Sequence, residues 1–423
     1  MYGFTELPSG LRIVTARMPH LASIALGIWV GTGGRHESAQ QNGVAHFIEH
    51  MLFKGTRRRS AARISQDIEG IGGYLNAFTD EEQTCFYSRA VASKLPELAD
   101  VLLDMFQGSR FTTAEITKER EVIREEQSMY LDQPSESVHD LLNAVQFIGH
   151  PLGRPVIGTP KSLKAIGRSE LLEFFALHYV AGTTVISAAG DVDHEALVKE
   201  IRDRESGFRR SSRPAPIPAP KIRGKPAVRL RTKDTEQSHL AIGFRTAPRL
   251  DSRRHALRLL NVVLGENMSS RLFQVLREDH GLAYNVQSSV SAWSDCGDLV
   301  ISAGLDDHQV EKALKLILGE VKKLCSRTIG KAEFERARDY TIGQADLALE
   351  GSEQMMMWLG EQILATNKVT EPGKIRDRIA TVTPREIRDA AIDFLRPDHV
   401  SLALISPRKS SIRLEGLLAS NLA

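Results

Sequence analysis

Two short apolar stretches of the same form, one in each half of the chain, decide the fold. The first is IALGIWV at residues 24–30 and the second is HLAIGFR at residues 239–245. Each is a short, mostly apolar run followed by a turn and then a helical pattern, which is typical of a buried β-strand. When Gly27 is placed on Gly243, the two halves are offset by 216 residues.

The landmarks that follow these strands repeat in the same order. Each half continues with a strand before a long helical pattern, and ends in a helix before an apolar strand. In the first half these segments are residues 86–90, 94–106, 170–178 and 184–190, and in the second they are 299–303, 309–324, 384–395 and 400–405. The repeat predicts an α+β protein of two homologous units related by internal duplication, each a largely antiparallel β-sheet covered by helices.

A proline-rich segment lies between the two halves. Five prolines fall between Ser206 and Pro226, and they exclude a helix or a central strand there. Alternating prolines favour an extended linker. We therefore expect a first unit at residues 1–212, a linker at 213–226 and a second unit at 227–423.

Composition excludes several classes of protein. The 55 basic and 53 acidic residues nearly balance, which argues against a dedicated nucleic-acid binder. Three widely spaced cysteines argue against a disulfide framework or a cysteine zinc site. The sequence shows no signal-peptide pattern at its start and no apolar run of the ~20 residues that a membrane helix needs, so we expect a cytoplasmic protein without a membrane partner.

The stretch HFIEHMLFKGT at residues 46–56 carries the chemistry. His46 and His50 are four residues apart, so on a helix both imidazoles lie on one face, about 6 Å apart along the axis. Both can then reach one metal ion at about 2.1 Å. Glu49 can project beside that metal without binding it, as a general base for a metal-bound water must. Apolar residues surround this stripe, and burying it without a metal would be costly.

A catalytic zinc needs a third protein ligand and an open position. The strongly helical segment at residues 117–129 carries four carboxylates, at Glu119, Glu121, Glu125 and Glu126. Glu119 and Glu126 are seven apart and share a helix face, so one could bind the metal while the other supports a ligand. Spacing alone does not choose among the four.

This sequence resembles the pitrilysin/insulinase family of zinc peptidases, the inverzincins, and most closely their short bacterial members and the catalytic subunit of mitochondrial processing peptidase. The run HFIEHMLFKGT matches the family signature, and the resemblance covers essentially the whole chain. It implies Zn²⁺ held by His46, His50 and Glu126, with Glu49 as the catalytic base and Glu119 as a supporting carboxylate. Manganese or cobalt suits the same ligands.

The resemblance also implies roles for residues away from the metal. Asn76 and Ala77 would lie on a strand edge and bind extended peptide by backbone pairing. Arg277 would bind substrate, and the hydroxyl of Tyr284 would donate to the developing oxyanion. Judged from the sequence alone, Arg277 would be a surface charge and Tyr284 a packed aromatic.

The second half does not repeat the metal ligands. With the offset of 216, His46, Glu49 and His50 fall on Val262, Gly265 and Glu266. The family's chamber needs four units and this chain supplies two, so the resemblance implies a homodimer or a heterodimer with a paralogue. Arg277 and Tyr284 would then complete the partner's site, although the sequence does not decide between action in cis and in trans.

The expected activity is zinc-dependent endopeptidase hydrolysis of short or unfolded peptides. The alternative is a non-catalytic core subunit of the same family, acting with a paralogous partner. A purely structural zinc would need a fourth protein ligand, and the sequence offers none. Nucleic-acid binding through Arg57-Arg58-Arg59 or Arg209-Arg210 is disfavoured, because these basic runs are short and lie near loops, where charged side chains are usually solvated.

Overall fold

The structure is a computed structural model that describes residues 2–211, 214–222 and 224–421. The boundary predicted between residues 212 and 213 lies outside the described residues. No regular helix or strand occurs at 214–222, as the prolines predict. Among the described residues, no helix combines the length and the apolar character needed to cross a bilayer.

The first half contains both strands and helices, in short groups of each. In chain order they are β1 (Tyr2–Glu6), β2 (Arg12–Arg17), β3 (Ser23–Val30), α1 (Val44–Leu52), α2 (Ala61–Glu69), β4 (Tyr74–Thr79), β5 (Thr84–Val91), α3 (Leu95–Gly108), α4 (Thr113–Leu131), α5 (Pro134–Gln146), α6 (Pro160–Ala165), α7 (Arg168–His178), β6 (Thr184–Gly190) and α8 (His194–Arg202).

The second half follows a similar order. Its elements are β7 (Ala227–Thr232), β8 (Ser238–Thr246), α9 (Arg254–Asn261), β9 (Ala283–Ala292), β10 (Gly297–Leu305), α10 (Val310–Ser326), α11 (Lys331–Ala348), α12 (Ser352–Thr366), α13 (Pro372–Thr381), α14 (Pro384–Phe394), β11 (Val400–Ser406) and α15 (Ile412–Asn421). Helix α9 ends at Asn261, and the chain continues as a π-helix over Val262–Glu266. There the backbone of Gly265 approaches β9 closely, since a Cβ on Gly265 would lie 2.7 Å from Ser288 Oγ.

The two sheets have the same topology. One has the order β1-β2-β6-β3-β5-β4 and the other has β7-β11-β8-β10-β9. The β2–β6 and β11–β7 pairs are parallel and the remaining pairs are antiparallel. When β1 is set aside, the strands correspond one to one, with β3 on β8. The predicted duplication and α+β class are confirmed.

The compact units exchange one helical segment in each direction. Residues 346–370, with α12, belong to the unit of the first sheet, and residues 128–153, with α5, belong to the unit of the second. Helix α12 packs against β2, β3 and β6, and α5 packs against β7, β8 and β11. No pattern in the sequence predicted this exchange. It gives both sheets two buried faces, which explains why β6 and β11 are buried at every position.

A glycine at the corresponding position of each central strand makes room for the exchanged helix. A Cβ on Gly27 of β3 would lie 2.5 Å from Met356 Sδ of α12, and a Cβ on Gly243 of β8 would lie 2.5 Å from Gln146 Nε2 of α5. Gly360 of α12 is tighter still, because its Cβ would lie 2.2 Å from the ring of the fully buried Trp29.

Replacing Gly360 with Ala is therefore expected to destabilise the protein, although alanine is the better helix former. Overpacking of this kind costs about 1–3 kcal/mol in the free energy of unfolding. Gly343 in α11 has no atom within 4 Å of its ideal Cβ, so Gly343→Ala should stabilise by up to about 1 kcal/mol. Urea unfolding of both variants measures the change in the free energy of unfolding. If both variants were stabilised, or both destabilised, by the same amount, the close fit of Gly360 against Trp29 would be contradicted.

Candidate metal and catalytic site

Helix α1 carries the HxxEH residues and packs into the core on its other sides. Val44, Ala45, Phe47, Ile48, Met51 and Leu52 are buried, whereas His46, Glu49 and His50 are partly exposed. The helix starts after Gly43, which has a φ of 93°. A Cβ on Gly43 would lie 2.8 Å from Gly158 Cα, so both the backbone angle and the close packing require glycine.

Glu37 fixes the start of this helix. Its buried carboxylate accepts hydrogen bonds from the backbone N–H groups of Gly43 at 2.8 Å and Ala45 at 2.9 Å. The amide of Asn42 donates a third at 3.2 Å. Burial raises the pKa of Glu37 to about 7, against the lowering effect of these bonds. A carboxylate here also interacts favourably with the positive end of the helix dipole. Glu37 was not identified from the sequence.

His46, His50 and Glu126 lie together in the structure. The Nε2 atoms of His46 and His50 are 3.8 Å and 3.6 Å from Glu126 Oε2. Their possible donor atoms all lie within 4.8 Å of one another, and this is the only group of three or more His, Cys, Asp or Glu side chains so placed in the described part of the chain. Two imidazole nitrogens and one carboxylate oxygen form a donor set that fits a catalytic zinc.

Glu119 orients one of the imidazoles. Its Oε2 lies 3.2 Å from His50 Nδ1, and its Oε1 forms an ion pair with Lys54 Nζ at 2.9 Å. A proton on Nδ1 shared with this carboxylate leaves the lone pair of Nε2 free for a metal. Glu119 is buried at 4 % exposure, unlike the more accessible Glu126.

The structure distinguishes the four carboxylates of α4, among which sequence spacing alone did not choose a metal ligand. Glu119 and Glu126 face α1 from α4, on either side of the buried Ile123. Glu121 is exposed and pairs with Arg124 on its own helix, and Glu125 is exposed. The arrangement matches the one that the family resemblance implies, while the metal-binding role of these residues stays a prediction.

The electrostatics of the site favour a neutral His46 and an ionised Glu126. Burial and the neighbouring His50 lower the pKa of His46 to about 4, and metal binding requires a neutral imidazole. Contact with His50 lowers the pKa of Glu126. Burial acts to lower the pKa of His50, but the carboxylates of Glu126 and Glu119 outweigh it and raise that pKa.

Glu49 lies beside the cluster and is held by a hydroxyl. Thr79 Oγ1, at the end of β4, donates to Glu49 Oε2 at 2.6 Å. Burial raises the pKa of Glu49, which makes its carboxylate a better proton acceptor. Neither Thr79 nor Lys54 was identified from the sequence, although Lys54 is part of the HFIEHMLFKGT run.

An open pocket adjoins Glu49 and His50. It has a volume of about 490 Å³, and its wall includes Phe53, directly after α1, and Asn76 and Ala77 of β4. Strand β4 is an edge strand of its sheet, as predicted, and an edge strand can pair with an extended peptide.

Arg277 and Tyr284 belong to the other compact unit. The guanidinium of Arg277 lies 5.1 Å from the centre of the Tyr284 ring and 4.8 Å from that of Phe273. Tyr284 is 79 % exposed, so its hydroxyl is open to a partner or a substrate, and it is not a packed aromatic. The structure brings these two side chains together, and their catalytic roles stay predictions.

The corresponding positions of the second half carry no metal site. Val262 is buried in the core, and Gly265 packs against β9. Glu266 forms an ion pair with Arg258 and accepts a hydrogen bond from Asn261 Nδ2 at 2.8 Å. The carboxylate of Glu266 therefore stabilises contacts within its own unit.

Family comparisons agree with this division. Residues 12–160 match the family described as insulinase, peptidase family M16, and residues 165–340 match the peptidase M16 inactive domain. The chain belongs to the M16 peptidase family. The predicted metal ligands of this M16 chain fall in the first match. The inactive-domain match begins in the last part of the first half and extends to residue 340 of the second half, which lacks these ligands.

Relatives of this M16 chain match it over nearly its whole length. An uncharacterized zinc protease of Streptomyces coelicolor is 39 % identical over 96 % of this chain and 89 % of its own length. The uncharacterized zinc protease YmxG of Bacillus subtilis is 35 % identical over 94 % of this chain and 97 % of its own.

Solved structures share the fold. A protease from Helicobacter pylori superposes with a TM-score of 0.91 at 20 % identity, covering 96 % of this chain and all of its own. A peptidase M16 inactive domain from Pseudomonas fluorescens superposes with a TM-score of 0.89 at 17 % identity, covering 97 % of this chain and 99 % of its own. At these identities the likeness concerns the fold.

Proposed function

We propose that this protein is a zinc endopeptidase that hydrolyses short or unfolded peptides. The observation that carries the proposal is the cluster of His46, His50 and Glu126 with the carboxylate of Glu49 beside it. The names of the relatives support zinc as the metal. Zinc held by these three side chains would polarise the scissile carbonyl and acidify the attacking water.

The remaining steps fall to the chain's own residues. Glu49 accepts a proton from the attacking water and delivers it to the leaving amine, so no covalent intermediate with the protein is needed. The edge of β4 at Asn76 and Ala77 pairs with the extended substrate. Lys54 and Glu119 keep His50 oriented.

The proposal extends to a chamber formed by two chains. The family resemblance supports it, because four units enclose such a chamber and one chain supplies two. In this arrangement Arg277 binds substrate, and Tyr284 donates a hydrogen bond to the oxyanion in the site of the partner chain. A fully active, strictly monomeric protein in sedimentation and kinetic measurements would contradict the two-chain chamber.

The test of the proposed function combines metal analysis with peptide cleavage. Purified protein is expected to contain about one zinc per chain and to cleave internally quenched peptides of randomised sequence. A chelator should abolish cleavage, and added zinc should restore it. Metal-loaded protein that leaves every such peptide intact would favour the alternative of a non-catalytic core subunit.

Two neighbouring glutamates on α4 allow a matched test of the ligand set. Glu126→Gln removes the carboxylate that faces both imidazoles, so we expect zinc affinity to fall more than about a hundredfold, with activity falling in parallel. Glu125→Gln changes an exposed carboxylate one residue away and should leave both unchanged. Equal zinc affinities measured by competition with a chromogenic chelator would contradict the role of Glu126.

A further inference from the structure

The hydroxyl of Thr79 makes the shortest polar contact of the proposed catalytic base. Thr79 Oγ1 lies 2.6 Å from Glu49 Oε2, and 3.4 Å from Thr84 Oγ1 across the hairpin. A distance of 2.6 Å is typical of a strong hydrogen bond from a hydroxyl to an ionised carboxylate.

The direction of this hydrogen bond is determined by its neighbours. A hydroxyl has one proton to donate, and an ionised carboxylate can only accept. Thr84 Oγ1 in turn donates to the backbone oxygen of Thr32 at 3.0 Å. Thr84 Oγ1 can therefore accept from Thr79 at 3.4 Å, but the charged carboxylate of Glu49 at 2.6 Å is the nearer and stronger acceptor. The proton of Thr79 is directed at Glu49 Oε2, and Oε1 is the oxygen that remains to accept a proton from water.

The backbone around Thr79 is rigidly held. Thr79 pairs with Thr84 in the register of β4 and β5, and the turn between them closes with a hydrogen bond from Asp80 N to Gln83 O at 2.9 Å. Asp80 Oδ1 accepts from the backbone N–H groups of Glu82 and Gln83, each at 2.8 Å. A hydroxyl on such a turn can hold a carboxylate in one orientation without being reordered during reaction.

We propose that Thr79 is a positioning residue for peptide hydrolysis, which holds Glu49 through Oε2 so that Oε1 faces the attacking water. The inference rests on the proposed function, since Glu49 matters in this way only if it acts as the base. It assigns the reaction a residue outside the HxxEH motif, on a strand that was predicted to serve substrate binding alone.

The test is Thr79→Val, which replaces the hydroxyl by a methyl group of similar size, with Thr79→Ser as the conservative variant. Thr79→Val removes a hydrogen bond to a charged group, and the free energy of such a bond corresponds to a fall in kcat of about ten- to a hundredfold. KM for internally quenched peptides of randomised sequence and zinc content should stay near the wild-type values. Thr79→Ser should recover most of kcat.

Thr84→Val is the matched control on the same hairpin. It removes a fully buried hydroxyl that does not contact Glu49, so it should lower the midpoint of thermal unfolding while kcat per bound zinc stays within about twofold. An active wild type with an unchanged kcat in Thr79→Val, or a loss of activity that follows zinc content, would overturn the role of Thr79 alone. A zinc-loaded wild type without peptidase activity would instead overturn the proposed function, and the role of Thr79 with it.

Discussion

Glu49→Gln is expected to abolish peptide hydrolysis while leaving zinc bound. Glutamine keeps the shape of the side chain and can still accept a hydrogen bond from Thr79, but it cannot take up the proton of the attacking water. Proton transfer by a positioned side chain contributes about 10²–10⁴-fold, so kcat should fall by about a thousandfold. Steady-state cleavage of quenched peptides and metal analysis of the same sample measure both parts of the prediction.

Glu69→Gln provides the control for this variant. Glu69 is an exposed carboxylate at the end of α2, in the same compact unit, and its replacement should change neither activity nor zinc content. Activity of Glu49→Gln within tenfold of the wild type would show that another group is the base. Loss of zinc together with activity would mean that Glu49 holds the metal and is not the proton acceptor.

His50→Ala should lose both metal and activity. The imidazole of His50 faces Glu126 through Nε2 and Glu119 through Nδ1, so its removal deletes a proposed ligand and takes one of its partners from the buried Glu119. Zinc affinity should fall more than about a hundredfold, beyond the loss caused by removing a residue that only supports a ligand. Competition with a chromogenic chelator gives the affinity.

Thermal unfolding supplies an independent measurement for this variant. A ligand that binds only the folded state raises the apparent stability, so zinc should raise the unfolding midpoint of the wild type and not that of His50→Ala. His20→Ala changes an exposed histidine of the same unit and should behave as the wild type does. A zinc-dependent rise in the midpoint that is preserved in His50→Ala would place the metal elsewhere.

The HxxEH part of the site was predictable because it is local. Spacing of four residues on a helix fixes which side chains share a face, and the observed helix, Val44–Leu52, contains both histidines and Glu49. Glu126 could not be chosen by spacing, because four carboxylates on α4 were available and their exposure depends on the packing of α4 against α1. The family resemblance supplied that choice.

The contacts that hold the site in place were not predicted. Glu37, in the segment before α1, accepts a hydrogen bond from the start of that helix. Thr79 of β4 donates to Glu49 of α1, and Lys54, directly after α1, forms an ion pair with Glu119 of α4. None of these pairs has a fixed spacing in sequence. Each depends on tertiary packing, which periodicity does not encode.

The chain's sequence by itself determined its duplicated strands and helices and one helix with two histidines and a glutamate on a single face. These features depend on hydrophobic periodicity and on residues near one another in the chain. Only the tertiary structure decided that α5 and α12 are exchanged between the compact units, and that Thr79 donates to Glu49. The physical reason is that a continuously apolar strand requires both faces to be covered, but its sequence does not specify which helix covers them.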